Sequence, residues 1–395
     1  MISVADARTA LVSSATPVGT ERLDLRAALG RTLREDLIAP RDHPPFRASA
    51  MDGYAVRACD TPGVLRVIGE AGAGNALQVA LSAGECARIF TGAPLPAGAD
   101  AVLIQEDARR DGDAIAAPAV RTGRHVREAG VDVRSGERVL ASGARLDAVA
   151  IALAATLGRA ALNVARRPRV AILGGGDELV APGNTPLPDQ IFDSMSFAMA
   201  ALAEQWGAEA ATTAPMKDRA AAVAGAITDT LPSSDLTVVV GGASVGDHDS
   251  ARPAIRDLGG ELMFEKVALR PGKPTWFARI GGTLILGLPG NPASAMVCAR
   301  LFMRPLLDRL CGRDPEPSTR TVVARTRTPL SANGARETYL RAAVASDERG
   351  QVWAHAAARQ DSSLISIFAA APALIVRAPD APEIAEGALV DVLCP

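Results

Sequence analysis

The stretch LILGLPGNPASAM, Leu284 to Met296, sets a short apolar run directly against a turn and a helix of small residues. Leu284, Ile285 and Leu286 are the kind of run that fills a parallel sheet. Pro292 suits the first turn of a helix, where its missing N–H costs nothing. The spacing predicts a strand-to-helix junction with N–H groups pointing outward, a place to hold an anion. For one such loop taken alone, a rigid βα connection is the stronger explanation. The neighbouring loops decide.

From Arg169 to about Leu310 the chain alternates strand and helix patterns. "RVAIL", "LTVVV" and "TLILGL" read as strands, and Ser194–Trp206, Ala220–Thr230 and Ser294–Leu310 as helices. Such alternation predicts a doubly wound parallel α/β domain. Three of its strands end in unusual loops. "AILGGGDEL" carries Gly174, Gly175, Gly176, Asp177 and Glu178, and "VVVGGASVGDHD" carries Gly241, Gly242, Ser244, Asp247 and Asp249; the third is the opening stretch. In an open parallel sheet ligands bind beyond the carboxyl ends of the strands, where these loops collect. Glycines let backbone N–H groups approach phosphate, and carboxylates beside phosphate make sense mainly as magnesium ligands or water activators. Lys266, Arg270 and Lys273 add cations around Pro271-Gly272. A nicotinamide dehydrogenase is disfavoured, because Leu179 stands where G-x-G-x-x-G needs glycine or alanine and acids stand where pyrophosphate would lie.

The rest of the chain divides by texture. Residues 1–40 and 146–165 show helical spacing, the former through Val4, Ala7, Leu11 and then Leu23, Leu25, Leu29 and Leu33. Residues 41–137 carry short β-type runs punctuated by Gly, Pro and Asp, and residues 321–395 do the same after the linker "GRDPEPSTR". The expected division is a helical N-terminal domain (1–40 plus 138–167), an inserted β-rich module (41–137), the α/β domain (168–316) and a small C-terminal β-barrel (317–395). On spacing alone Asp52-Gly53 and Thr91-Gly92 in the module are ordinary turns.

Bulk properties exclude several classes. Lys+Arg 42 against Asp+Glu 44 gives a net charge of −2, with 3% aromatic residues, so neither a basic face nor a base-stacking platform for nucleic acid is expected. Five scattered cysteines without a C-x-x-C pair, and four dispersed histidines, speak against a disulfide framework and against zinc. Asp6 and Arg8 interrupt any signal-peptide core, and no apolar run is long enough to span a bilayer. A soluble, cytoplasmic protein is expected.

Seven blocks, "PPFRASAMDGYAV", "FTGAPLPAGADAVLIQE", "GGGDELVAPGN", "QIFDSMSF", "GGASVGDHD", "RPGKP" and "GLPGNPAS", fall in order along almost the whole chain. Together they resemble the molybdopterin molybdenumtransferase family, the bacterial relatives of the gephyrin E domain. The resemblance implies a homodimer of four-domain subunits that inserts molybdate into adenylylated molybdopterin, with magnesium and with release of AMP. It implies catalytic roles for Asp52, Glu178, Asp249, Lys266 and Lys273, and magnesium ligation by Asp177, Glu178 and Asp249. Substrate contacts are implied for Thr91, Gly241, Gly242, Ser244, Pro289, Gly290, Pro292 and Ser294, with Asp218, Arg341 and Ser362 matching in weaker alignments. Transient contact with molybdopterin adenylyltransferase and with molybdoenzyme chaperones is implied as well. Departures from the family pattern stand at Arg47-Ala48, Gly174-Gly175 (commonly Ser-Thr), Val240, Arg270 and Asp361. Two rival functions share these features: a non-catalytic molybdopterin-binding paralogue and a molybdopterin adenylyltransferase.

Overall fold

The computed structural model describes residues 1–242 and 250–395. The chain forms two compact units, one of Met1–Arg22, Gly30–Arg34 and Asn163–Pro395, the other of Leu23–Leu29 and Glu35–Leu162.

In the first unit, a six-stranded sheet runs in the order Glu209–Thr212, Arg169–Gly174, Leu236–Val240, Thr283–Leu288, Trp276–Ile280, Glu261–Phe264. The first four strands are parallel and the last two antiparallel, so the expected parallel sheet carries an antiparallel edge. Continuous apolar runs make sense here because both faces are covered. Val170, Ile172, Val238, Leu284 and Leu286 pack under the helices Met195–Gln205 and Pro292–Cys298. On the other face Leu173, Val239, Ile285 and Trp276 meet Ala220–Thr230 and Ala251–Asp257. Gly287 makes room for the indole of Trp276, since a Cβ there would stand 1.9 Å from Trp276 Cε2.

Chain order places the next strand, Glu209–Thr212, on one side of Arg169–Gly174 and the one after it, Leu236–Val240, on the other. The reversal makes a crevice between the ends of these two strands, at Gly174 and Val240.

The C-terminal part of the same unit is a closed small barrel. Its strands run Leu269–Arg270, Glu337–Ser346, Val352–Ala356, Val322–Thr326, Leu389–Leu393, Ala373–Arg377, and the last pairs back onto Glu337–Ser346. The short strand Leu269–Arg270 belongs in sequence to the α/β domain but pairs with Glu337–Ser346, which fixes the "RPGKP" turn against the barrel.

The second unit holds a six-stranded sheet in the order Ala101–Ile104, Gly53–Val56, Glu85–Ile89, Gly63–Ala71, Ala114–Ala117, Arg109–Asp111. Two helical expectations need correction. Of residues 1–40 only Val4–Ser14 is α-helix; Thr20–Asp24 is a strand. The Asp24 carboxylate accepts the N–H groups of Arg26 and Ala27, both at 2.9 Å, and this local turn outcompetes the helix that the leucine spacing suggested. Within residues 146–165 the helix covers Ala148–Thr156, with its start capped by Asp147, and Ala161–Ala165 is a strand. Among the described residues no helix is long and apolar enough to cross a membrane.

Candidate functional site

The crevice at the strand reversal opens into a cleft of about 740 Å³, walled by Gly174-Gly175, Glu178, Asp193, Asp218, Gly241-Gly242, Lys273 and Pro289–Pro292. Close backbone packing explains its glycines. Gly241 has φ +87°, and a Cβ on it would meet the Gly175 carbonyl oxygen at 2.3 Å. A Cβ on Gly290 would in turn touch Gly241 Cα at 3.4 Å. The three loops therefore gather, but not all of their N–H groups face a ligand. Gly175 donates to the Val240 carbonyl at 2.9 Å and Gly241 to that of Leu288 at 3.1 Å. Ala293, in the first turn of the helix that opened the sequence argument, donates to the Ser362 carbonyl at 2.9 Å. Several of the N–H groups expected to bind anion are thus spent on holding the loops together.

A second cleft, of about 820 Å³, lies between the α/β domain and the barrel. It shares Lys273, Pro274, Pro289 and Asn291 with the first. Arg270, Arg336 and Arg377 supply positive charge, Ser294 and Ser362 supply polar groups, and Asp361 stands at its rim. The Asp361 carboxylate accepts the Ser363 hydroxyl at 2.6 Å and the Ser363 N–H at 2.9 Å. These bonds, the hydroxyl's first, hold its pKa below the usual carboxylate range and tie its charge into its own turn. Consecutive residues of that turn serve the two clefts, Ser362 the barrel-side one and Ser363 the other.

The structure brings Glu178, Asp218, Lys273, Gly241, Gly242, Pro289, Gly290 and Pro292 to the switch-point cleft. Ser294 and Ser362 line the barrel-side cleft. Three expected residues lie elsewhere. Asp177 points into solvent in an exposed pair with Lys217, at 3.7 Å. Lys266 lines neither cleft, and its carbonyl accepts the N–H of Ile2 at 3.1 Å. Arg341 is 1% exposed and works as a clamp: its guanidinium donates to the carbonyls of Leu364 (2.8 Å) and Asp361 (2.9 Å), ordering the loop that presents Ser362. Ser244 and Asp249 lie outside the described residues.

Asp52 and Thr91 belong to the second unit. Asp52 Oδ1 accepts the Thr91 N–H at 2.8 Å and its hydroxyl at 2.7 Å. Those two bonds, with a smaller contribution from the Arg88 guanidinium, lower the Asp52 pKa. Arg88 itself lies over the rings of Tyr54 and Phe90 and donates to the Gly53 carbonyl at 3.0 Å. Asp193, Arg336 and Arg377 were not expected at a site. The block "QIFDSMSF" held the signal for the first, and the two arginines sit in barrel strands or loops that carry no local motif.

A cleft at a switch point, with an adjoining cationic groove and a lysine common to both, is the arrangement of an α/β ligand-binding protein. Comparison makes this specific. Residues 2–158 match the MoeA N-terminal region (domain I and II), residues 171–309 a probable molybdopterin binding domain, and residues 323–394 the MoeA C-terminal region (domain IV). The chain is 36% identical over 332 residues to a molybdopterin molybdenumtransferase of Nostoc sp., covering 81% of this chain and 76% of the relative. It is 33% identical over 380 residues to the Haemophilus influenzae protein of the same name, covering 95% and 94%. A crystal structure of the molybdopterin biosynthesis MoeA protein from Pyrococcus horikoshii superposes with a TM-score of 0.85 at 31% identity, over 100% of this chain and 99% of the other. The chain belongs to the molybdopterin molybdenumtransferase family, transferases of molybdenum cofactor biosynthesis.

Proposed function

We propose that this chain inserts molybdate into adenylylated molybdopterin, releasing AMP. The observation that carries this is Lys273, which stands in the wall of both clefts. One cation can then face a small oxyanion on the barrel side and a phosphate of the pterin nucleotide at the switch point. The barrel-side cleft, with Arg270 and Arg336, suits molybdate; the crevice over Gly241-Gly242 suits the pterin and its phosphoanhydride.

Magnesium fits the donor set in a limited way. Among the described residues no three acidic, histidine or cysteine side chains converge. Magnesium bound to substrate phosphates needs only one or two carboxylates, and Glu178 and Asp218 line the cleft. When bound, the ion would supply charge neutralisation at the phosphoanhydride. Glu178 would hold it, while Lys273 orients the oxyanion. Asp52, whose carboxylate accepts two bonds from Thr91, belongs to the same reaction in this proposal. A cytoplasmic homodimer completes it, in keeping with the five free thiols.

The test is AMP formation from adenylylated molybdopterin, followed chromatographically. AMP is expected to appear only with molybdate and magnesium both present. Binding of the nucleotide without turnover would mark a non-catalytic paralogue. ATP-dependent adenylylation of molybdopterin would mark the earlier enzyme instead.

A further inference from the structure

Lys273 reaches both clefts from a short turn whose two ends are anchored. On one side Leu269–Arg270 pairs with the barrel strand Glu337–Ser346; on the other the sheet strand Trp276–Ile280 begins. Between them the Gly272 carbonyl accepts two bonds from one residue, the Thr275 hydroxyl at 2.8 Å and the Thr275 N–H at 3.1 Å. The Lys273 carbonyl accepts the Val267 N–H at 3.1 Å. Thr275 is 0% exposed and lines neither cleft. Its Oγ also lies 3.1 Å from the Sγ of Cys298, which is as deeply buried. Gly272 packs closely on this floor. It has φ +121°, and a Cβ on it would stand 2.3 Å from Cys298 Sγ and 2.8 Å from Leu269 Cδ2.

A buried hydroxyl is a costly way to fill a core position that valine fills with nearly the same shape, unless its hydrogen bond does something. Here the bond falls on the residue just before the lysine. A lysine is a point charge on a flexible stem, and a backbone left loose beneath it adds to what ligand binding must immobilise. We propose that the Thr275 hydroxyl is a positioning group for Lys273: by holding the Gly272 carbonyl it fixes the turn from which the ammonium group meets anionic groups in both clefts. Thr275 itself touches no ligand. The assignment rests on the role proposed above for Lys273 and adds the group that sets the lysine in place.

The experiment titrates the full-length protein with molybdate and, separately, with AMP. The chains compared are wild type, Thr275→Val, Thr275→Ser, Lys273→Ala and the double variant that combines Thr275→Val with Lys273→Ala. Thr275→Val is expected to weaken molybdate about fivefold, the worth of one hydrogen bond, and Thr275→Ser to stay within about twofold of wild type. In the Lys273→Ala background Thr275→Val should change neither affinity further, because the group it positions is gone. Thr275→Val lowers the melting temperature in either background, so the double variant decides rather than stability. Should Thr275→Val not fold, Thr275→Ala against Thr275→Ser isolates the hydroxyl in the same way. Unchanged affinity for both ligands in Thr275→Val overturns the proposal, and so does a loss that persists in full without the lysine. If Lys273→Ala spares molybdate, while AMP weakens in both single variants and no further in the double one, the positioning stands and the molybdate reading falls. A Lys273→Ala variant that binds both ligands like wild type overturns both.

Discussion

Lys273 stands where two clefts share a wall, and its half-buried side chain carries little of the fold. Lys273→Ala is expected to weaken molybdate binding, measured by titration calorimetry, with a stability change of only about 0.5 kcal/mol. Unchanged molybdate affinity would remove the lysine from the oxyanion site. Asp52 offers a second residue-scale test, through pH. Its folded pKa lies below the ordinary 3.8, chiefly because of the two Thr91 bonds. A depressed carboxylate pKa contributes stability that is present above the unfolded value and lost as pH falls through the folded one. The window therefore lies below about pH 4. Thr91→Val deletes the hydroxyl donor and keeps the N–H. The Asp52 titration, followed by carbon NMR, should move upward toward the ordinary value, and the Asp52-dependent loss of stability in acid should become smaller and be complete at a higher pH. A titration that does not move would show that the hydroxyl bond contributes nothing in solution.

At the scale of elements, the cleft exists because three strand-to-helix loops pack backbone against backbone. Gly241 is the closest of these approaches, with both a left-handed φ and a neighbouring carbonyl in the way of any Cβ. Gly241→Ala is expected to cost about 3 kcal/mol, from the backbone strain and the clash together, and to abolish nucleotide binding. Chemical denaturation and a binding titration on the same sample check both halves. Little of this was legible in the sequence. The glycine clusters announced loops at one sheet edge, but Gly175, Gly241 and Ala293 spend their N–H groups on partners that are distant in sequence. The leucines at 23, 25, 29 and 33 matched a helix, and the Asp24 side chain, reaching two backbone N–H groups, made a turn instead.

On the largest scale, the α/β domain and barrel of the first unit are joined by buried polar contacts as well as by the strand Leu269–Arg270. Arg300, 7% exposed, donates to the Pro372 carbonyl at 2.6 Å and also to that of Cys394. Arg300→Ala removes two part-buried hydrogen bonds from a charged donor and is expected to cost about 3 kcal/mol. Limited proteolysis should then cut the barrel before the α/β domain. Cleavage in the wild-type order would show that the strand pairing alone holds the barrel in place.

The sequence by itself determined the sheet and its loops: apolar runs five or six residues long, each ending in glycine or Pro-Gly, leave few alternatives to strands buried on both faces. It also carried the family, through ordered blocks spread over almost the whole chain. Tertiary structure decided what each group in those blocks is free to do. Arg341 became a loop clamp, Asp361 turned its charge onto Ser363, and Lys273 came to serve two clefts. The reason is that residue type fixes the donors and acceptors a chain owns, whereas burial and long-range pairing settle which of them remain for a ligand.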